Sequence, residues 1–464
     1  MLKQSRFFIL VAILFILFSQ CKKNDIDTNG KISFSTDTVS FDTVFTTIGS
    51  TTTFFKIYNH NDKSLKIKNI HLGNPHSVFR LNIDGISGNN LDDLIIAPND
   101  SLFIFVEVTV NPTNQNSPMV ILDSVIFQME THSQNIKLQA FGQDVHLING
   151  EIFQTDTTWT NDKPYLIYNS MLIDSLVTLK IEEGCQIHFH AHSGMYIKGQ
   201  LLVEGTHDNP VVFQGDRLES FYDDIPGQWD RIAFLEGSFN NEINYAIVKN
   251  GVIGIQTGSL ATDKKPSVEI KNSFILNMNY AGLYSLGGSI TAENTVVSNC
   301  GFYDAALLIG GYYQFLHCSF INFWKYANRS EPSVVMTNNL IANNTYYIGD
   351  LQNAFFGNCI IYGNLDDEIG FNNNTSATFN YQFKNCLITH KKNDISDTTF
   401  YKNIITGNPK LENYSENDFH LTEKSPCINA GDIAIGNAVS SDYDGVSRID
   451  DSAPDLGIYE YTPR

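Results

Sequence analysis

The chain has 464 residues, 42% of them hydrophobic, with 30 Lys plus Arg against 50 Asp plus Glu, a formal charge of −20. That length accommodates more than one domain, and that acidity excludes nucleic acid as a partner, because phosphate recognition needs a basic surface. A polyanionic glycan is disfavoured for the same reason unless calcium or a local basic cluster intervenes.

Residues 1–20 place Lys3 and Arg6 ahead of an apolar run from Phe7 to Phe18. The run is shorter than the roughly 20 residues a membrane-spanning helix needs, so it reads as a secretory signal. Ser19-Gln20 ends it and Cys21 follows at once. This order resembles a bacterial lipoprotein signal, which implies lipidation at Cys21 and anchorage in a membrane. The polar Lys22-Lys23-Asn24-Asp25 resembles the surface-export tether of Bacteroidetes-type lipoproteins, so residues 21–30 are read as a tether. The expected address is the bacterial outer membrane, lipid-anchored and facing the cell surface. Losing Lys3 and Arg6 with the signal leaves 28 basic against 50 acidic residues, a charge that keeps an exported surface solvated.

Residues 31–148 alternate in short runs such as TTFFKIYN, LKIKNIHL, FRLNI, SLFIFVEVTV and NIKLQAFGQDV. Turn clusters at Asn59 to Asp62, Asp84 to Asn90, Pro98 to Asp100 and Asn111 to Pro118 separate them. About eight strands with polar turns predict an antiparallel β-sandwich. The order of strands resembles the immunoglobulin-like domains that precede β-helices in bacterial surface proteins. That likeness implies a spacer or docking role, with glycan binding as an alternative that no aromatic pair or metal cluster promotes here.

From residue 149 the pattern changes. The stretch Leu176 to Asp216 pairs short strands with Gly184 and Gly199 turns and an Asn209-Pro210 break. A six-residue phrase then recurs as YAIVKN, NSFILN, NTVVSN, CSFINF, NNLIAN, NCIIYG and NCLITH, beginning at Tyr245, Asn272, Asn294, Cys318, Asn338, Asn358 and Asn385. Spacings of about 20 to 27 residues belong to solenoids. The fourth residues, Val248, Ile275, Val297, Ile321, Ile341, Ile361 and Ile388, form a β-branched column suited to a buried pleated surface. The second residues are mostly small, and Asn recurs at the sixth, where a left-handed bend is tolerated. A propeller would need about 40 residues and four antiparallel strands per blade, so stacked coils of parallel strands are predicted.

These phrases and their upstream coils resemble the right-handed parallel β-helix superfamily, the pectate-lyase-like proteins. FHLTEKSPCINAG from Phe419, then DYDGVSR and PDLGIYEY, resemble the terminal segment of that group. The expected architecture is all-β, with a right-handed parallel β-helix over residues 149–440 and a capping segment over 441–464 that Arg448, Asp455 and Glu460 fasten across the solenoid end. The fold does not specify function, since β-helices carry lyases, hydrolases, adhesins and spacers alike.

Loops after the sixth position should lie on one side of the stack. They carry Asp304, Trp324-Lys325-Tyr326 with Arg329, Tyr346-Tyr347 with Asp350, Asp366-Asp367-Glu368, then Lys391-Lys392 and Asp394. As a binding face, Trp324, Tyr326, Tyr346 and Tyr347 would stack on sugar rings, with Asp350 bonding hydroxyls of an extracellular polysaccharide or an envelope partner. As a lyase, Asp366, Asp367 and Glu368 would hold Ca2+ while Arg329 or Lys391 abstracts a proton. A hydrolase would use two carboxylates. The Asp366-Asp367 pair resembles that of β-helix polygalacturonases, but the accompanying Gly-His and Arg-x-Lys signatures are missing. Binding without turnover, or a solvated surface that does nothing further, is therefore favoured over catalysis.

Asp442 and Asp444 offer a weaker calcium pair, lacking the other ligands of an EF-type loop. Cys185, Cys300, Cys318, Cys359, Cys386 and Cys427 show no zinc spacing. Cys359 and Cys386 share a column, either as core thiols or as a bridge. His188, His190 and His192 alternate as on an exposed polar strand face.

Overall fold

The computed structural model describes residues 25–113, 119–260, 265–392, 394–450 and 452–463, so the signal segment 1–20, Cys21 and residues 22–24 of the tether lie outside the described residues. The chain divides into two compact units between Asp144 and Val145.

The first unit is the immunoglobulin-like sandwich, antiparallel except where Ile26–Asp27 pairs with Ser64–Leu72 and Thr38–Phe45 pairs with Ser133–Gln143. One sheet contains Ile26–Asp27, Ser64–Leu72, Met119–Gln128, Ser133–Gln143 and Thr38–Phe45, with Asn90–Ile96 paired to Ser64–Leu72. The other contains Ser33–Phe34, Thr53–Asn59, Asp100–Val108, Phe79–Ile83 and Ile86–Ser87. Alternation builds the core: Phe55, Ile57, Ile67, Phe79, Ile104, Val106, Phe127 and Ile136 all point inward and are fully buried. Two readings change here. The turn expected from Asp84 to Asn90 holds the short strand Ile86–Ser87 and runs into the strand Asn90–Ile96. The segment also carries an aromatic cluster, because Phe54, Phe103 and Phe105 stand on the outer face of the second sheet. Apolar residues at both parities of SLFIFVEV concealed it.

The second unit is a parallel β-helix. Its first strand, His146–Asn149, pairs in parallel with Tyr165–Tyr168, so the solenoid begins before residue 149. An eighteen-stranded parallel sheet supplies two strands per coil and a nine-stranded parallel sheet supplies the third. Strand pairing satisfies the backbone from coil to coil and turns a periodic sequence into a continuous core.

The pairing corrects the repeat register twice. Val297 faces Phe320, and Phe320 faces Ile361, so the fourth phrase starts at His317 and reads HCSFIN. The interior column is therefore Val248, Ile275, Val297, Phe320, Ile361 and Ile388, all buried. Asn338 to Asn343 is not a coil phrase. Asn339–Ala342 pairs antiparallel with Thr345–Ile348 as a hairpin outside the stack, and Ile341 is 72% exposed. Leu340 packs it against Leu286 and Leu308. A β-branched hexapeptide fits either setting, and pairing partners decide between them.

Within the stack, Phe315, Phe356, Phe383 and Tyr401 pile up one per coil, with successive centroids 4.8, 4.8 and 5.7 Å apart. Cys318, Cys359 and Cys386 line up in consecutive coils as free, buried thiols, each donating to backbone carbonyls. Burial, with the neighbouring thiols, pushes the Cys359 thiol well above its ordinary range.

The first position of each phrase is the second Asn-rich column. Tyr245, Asn272, Asn294, His317, Asn358, Asn385 and Asn403 all have φ between 44° and 55°. Their side chains ladder: Asn294 donates to Asn272 at 3.0 Å, Asn358 to His317 at 3.0 Å, and Asn403 to Asn385 at 3.1 Å. Asn accepts the left-handed bend at low cost and offers both a donor and an acceptor to the coils on either side.

The C-terminal segment runs along this column and does not cover the solenoid end. Phe419, Leu421, Cys427, Tyr443, Leu456 and Ile458 pack against Phe274, Val296, Ile321, Ile360 and Leu387, the outward residues of five coils. Arg448 and Glu460 form a buried ion pair at 2.5 Å, while both oxygens of Asp455 accept backbone amides, from Asn429 and Tyr461.

A candidate binding surface on the turn face

At the sixth position Asn250, Asn277 and Asn299 adopt φ of 67°, 58° and 56° and turn the chain out of the long sheet. Two coils then reach an aromatic residue three places later. The Phe302 amide donates to the Tyr280 carbonyl at 2.9 Å, which sets the two side chains one above the other. Their rings lie 5.0 Å apart at 42°, and Phe302 is 46% exposed. Tyr303 closes on Tyr280 from the side at 6.1 Å, and its hydroxyl donates to Glu331 at 3.4 Å. Burial raises the pKa of Tyr280, Tyr284 and Tyr303, so these phenols stay protonated donors at neutral pH.

In the next coil Trp324 is only 8% exposed and packs against Gly301, where a Cβ would stand 3.2 Å from the indole. Tyr326 sits edge-on to it at 5.1 Å and is 42% exposed. Its hydroxyl donates at 2.5 Å to the carbonyl of Asp224, in the excursion that also presents exposed Phe221 and stacks Arg217 on Tyr222 at 3.9 Å. The surface is thus an array of half-exposed rings framed by amides and carboxylates. Of the residues expected there, Tyr326 is a surface ring and Trp324 is its buried support. Tyr280, Phe302 and Phe221 were missed, though the repeat of an aromatic three residues after Asn277 and Asn299 was a usable signal.

Tyr346, Tyr347 and Asp350 belong elsewhere. The two tyrosines lie on the hairpin and share no ring contact with Trp324 or Tyr326 among the described residues. The Tyr346 hydroxyl accepts from Asn374 at 2.6 Å, and Asp350 accepts the Thr378 amide at 2.8 Å, which lowers its pKa.

The residues considered for elimination chemistry are occupied by structural partners. Arg329 is buried and ion-paired with Glu368, which also takes the amides of Ser333 and Leu365 at 2.9 Å each. Beside them Asp304 is fully buried, accepts from Asn322 at 3.0 Å and bonds the Ser333 hydroxyl, and burial pushes its pKa up to about 7. Lys391 bonds Asp366 at 2.6 Å, raising the pKa of the amine and lowering that of the acid. Asp367 accepts the amides of Lys391 and Lys392 at 3.0 Å each. A proton-abstracting base must be free to meet its substrate, and Arg329 and Lys391 are both held in ion pairs. Nor is Glu368 placed as a calcium ligand alongside Asp366 and Asp367.

Asp442 is buried and accepts the amides of Val446 and Glu460 at 2.7 and 2.8 Å, so it caps a turn. Asp444 faces two imidazoles, His207 at 3.3 Å and His420 at 3.1 Å. No group of three or more His, Cys, Asp or Glu able to hold a metal ion occurs among the described residues. His188 is buried, its ring bonded to the Gly215 carbonyl at 3.2 Å and its pKa pushed down to about 4 by burial. The expected exposed row fails because the strand ends at Phe189, after which His190 pairs with Asp216 at 2.6 Å.

No protein-family model matches the chain, and no curated protein matches it. Among solved structures, the chain is similar to the ASH/PapD-like domain 7 of human CEP192, at 11% identity over 26% of this chain and 91% of that one, with a TM-score of 0.18. It is also similar to a family 123 glycoside hydrolase from Clostridium perfringens, at 9% identity and a TM-score of 0.19. That match spans 27% of this chain and about a quarter (26%) of the hydrolase.

Proposed function

We propose that this chain is a lipoprotein anchored in the bacterial outer membrane, whose solenoid binds an extracellular glycan along the turn face without turning it over. The observation that carries the reading is the tilted Tyr280–Phe302 pair, its rings 5.0 Å apart on adjacent coils, with Phe302 exposed. Flat rings meet the C–H faces of sugars, and the surrounding Asn279, Asp224 and Glu331 suit hydroxyl groups. Support also comes from the ion pairs that engage Arg329 and Lys391, the two residues considered as bases for elimination. The lipoprotein-like signal of residues 1–21 supports display of such a face outside the cell.

Affinity electrophoresis through gels containing uronate-bearing or neutral polysaccharides tests this. Retardation by at least one polysaccharide should weaken about three- to tenfold in Phe302→Ala and in Tyr280→Ala, and no unsaturated product should accumulate. Retention unchanged in both variants would remove the proposed face. Detergent-phase partition that Cys21→Ser abolishes tests the anchor.

A further inference from the structure

The outer face of the five-stranded sheet in the sandwich carries rings that its core does not use. Register places Phe54 opposite Phe105, Phe105 opposite Asn82, and Asn82 opposite Ser87, one row across four strands. Phe103 lies next along its strand, giving ring separations of 5.3, 6.0 and 6.0 Å among Phe54, Phe103 and Phe105. Phe54 is 54% exposed. Leaving three phenylalanines in water forfeits burial free energy, so such a patch marks a contact site.

Phe105 also forms one wall of a groove of about 680 Å³, whose other lining includes Arg80, Asn82, Ser87, Asn89 and Glu107. The groove's charges cancel, since Arg80 pairs with Glu107 at 3.4 Å. Thr52 donates to the same carboxylate at 2.6 Å and holds Glu107 ionised by lowering its pKa. Asn82 donates to the Ser87 hydroxyl at 3.3 Å, while its own oxygen has no donor. Lys56 lies over the Phe103 ring at 4.4 Å, which leaves Phe54 and Phe105 as the open rings. Beside them the groove carries no net charge, and this suits an uncharged occupant, apolar on one flat side and bearing hydroxyls at its rim. A bilayer or a second copy of this chain would meet a polar row where it needs apolar surface.

We propose that this face is a second binding site, specific for a neutral saccharide, with Phe54 and Phe105 as the stacking platform and Asn82, Ser87 and Glu107 as hydroxyl partners. It lies in a different unit from the turn face and stands independently of it.

The test uses the full chain in native gels containing neutral β-glucan, galactomannan or xylan. At least one should retard the protein, Phe105→Ala should lower the association about tenfold with an unchanged melting temperature, and Phe105→Trp should restore it. Phe302→Ala should leave this retention intact. Retention lost with Phe302→Ala but not with Phe105→Ala would overturn the sandwich site and spare the turn face. Absence of retardation in every neutral gel would overturn the sandwich site, while retardation in a uronate-bearing gel would still uphold the turn face. A shift from dimer to monomer in Phe105→Ala on sedimentation, or Phe105-dependent pelleting with phosphatidylcholine vesicles in place of glycan retention, would reassign the rings to self-association or to lipid.

Discussion

Arg448 donates to Asn294 at 2.8 Å across 154 residues of chain, and so ties the C-terminal segment to the asparagine ladder of the solenoid. The same guanidinium bonds the carbonyls of Gly457 and Ile458 and pairs with Glu460, all of them buried residues. Removing one partner of a buried ion pair typically costs about 3–5 kcal/mol, because the other charge is left stranded. Arg448→Ala should therefore lower unfolding free energy by about that amount in urea titrations, and limited trypsin should cut first within residues 405–463.

A second tie on the same segment depends on pH. The His207 imidazole lies between Asp208 at 3.0 Å and Asp444 at 3.3 Å, and those carboxylates raise its pKa. A raised histidine contributes stability that is complete below its unfolded value of about 6.5 and is lost as pH climbs through the folded value. His207→Gln should therefore lower the melting temperature near pH 5.5 and have little effect near pH 9. Because the site is half exposed, the difference should stay within about 1 kcal/mol.

The buried Asp304 carries the opposite sign. Burial pushes its carboxyl up to about 7, so the folded chain keeps a proton that the unfolded chain releases from about pH 4 upward. Stability contributed by this group falls as pH rises between those values. Asp304→Asn should flatten that slope in urea midpoints taken at pH 5 and pH 8, and should leave the wild type the less stable of the two at pH 8.

The two ion pairs that engage Arg329 and Lys391 should differ on truncation. Glu368→Ala strands a buried guanidinium and should destabilise by about 3–5 kcal/mol. Asp366→Ala, on an exposed pair with Lys391, should leave the melting temperature unchanged.

Register predicts a further contrast. Phe356 stacks between Phe315 and Phe383 in the core, so Phe356→Ala should cost about 3–5 kcal/mol. Ile341→Ser, on the outward side of the hairpin, should cost almost nothing by the same denaturation assay.

The Ile341 and Phe356 contrast also marks how much could be read in advance. Alternation within TTFFKIYN and FRLNI was enough to imply a sandwich, and the recurrence of N-x-x-I-x-N was enough to imply stacked coils, because periodicity is a local property of the chain. The aromatic pair Tyr280–Phe302 was equally periodic but lay three residues outside the phrase being tracked. Phe54, Phe103 and Phe105 were hidden for a different reason: with apolar residues at both parities, a strand does not announce which side faces water.

Sequence alone determined that this chain is all-β and that its second part is a solenoid. Those conclusions rest on composition and on repetition, which need no partner. Tertiary structure decided which phrases stack, which flank the C-terminal segment covers, and which charges are spent. Arg329 and Glu368 meet across 39 residues, and Arg448 and Asn294 across 154, so their roles follow from pairings that no local pattern encodes. The repeat specifies a scaffold, while long-range contacts select the side chains left free to bind.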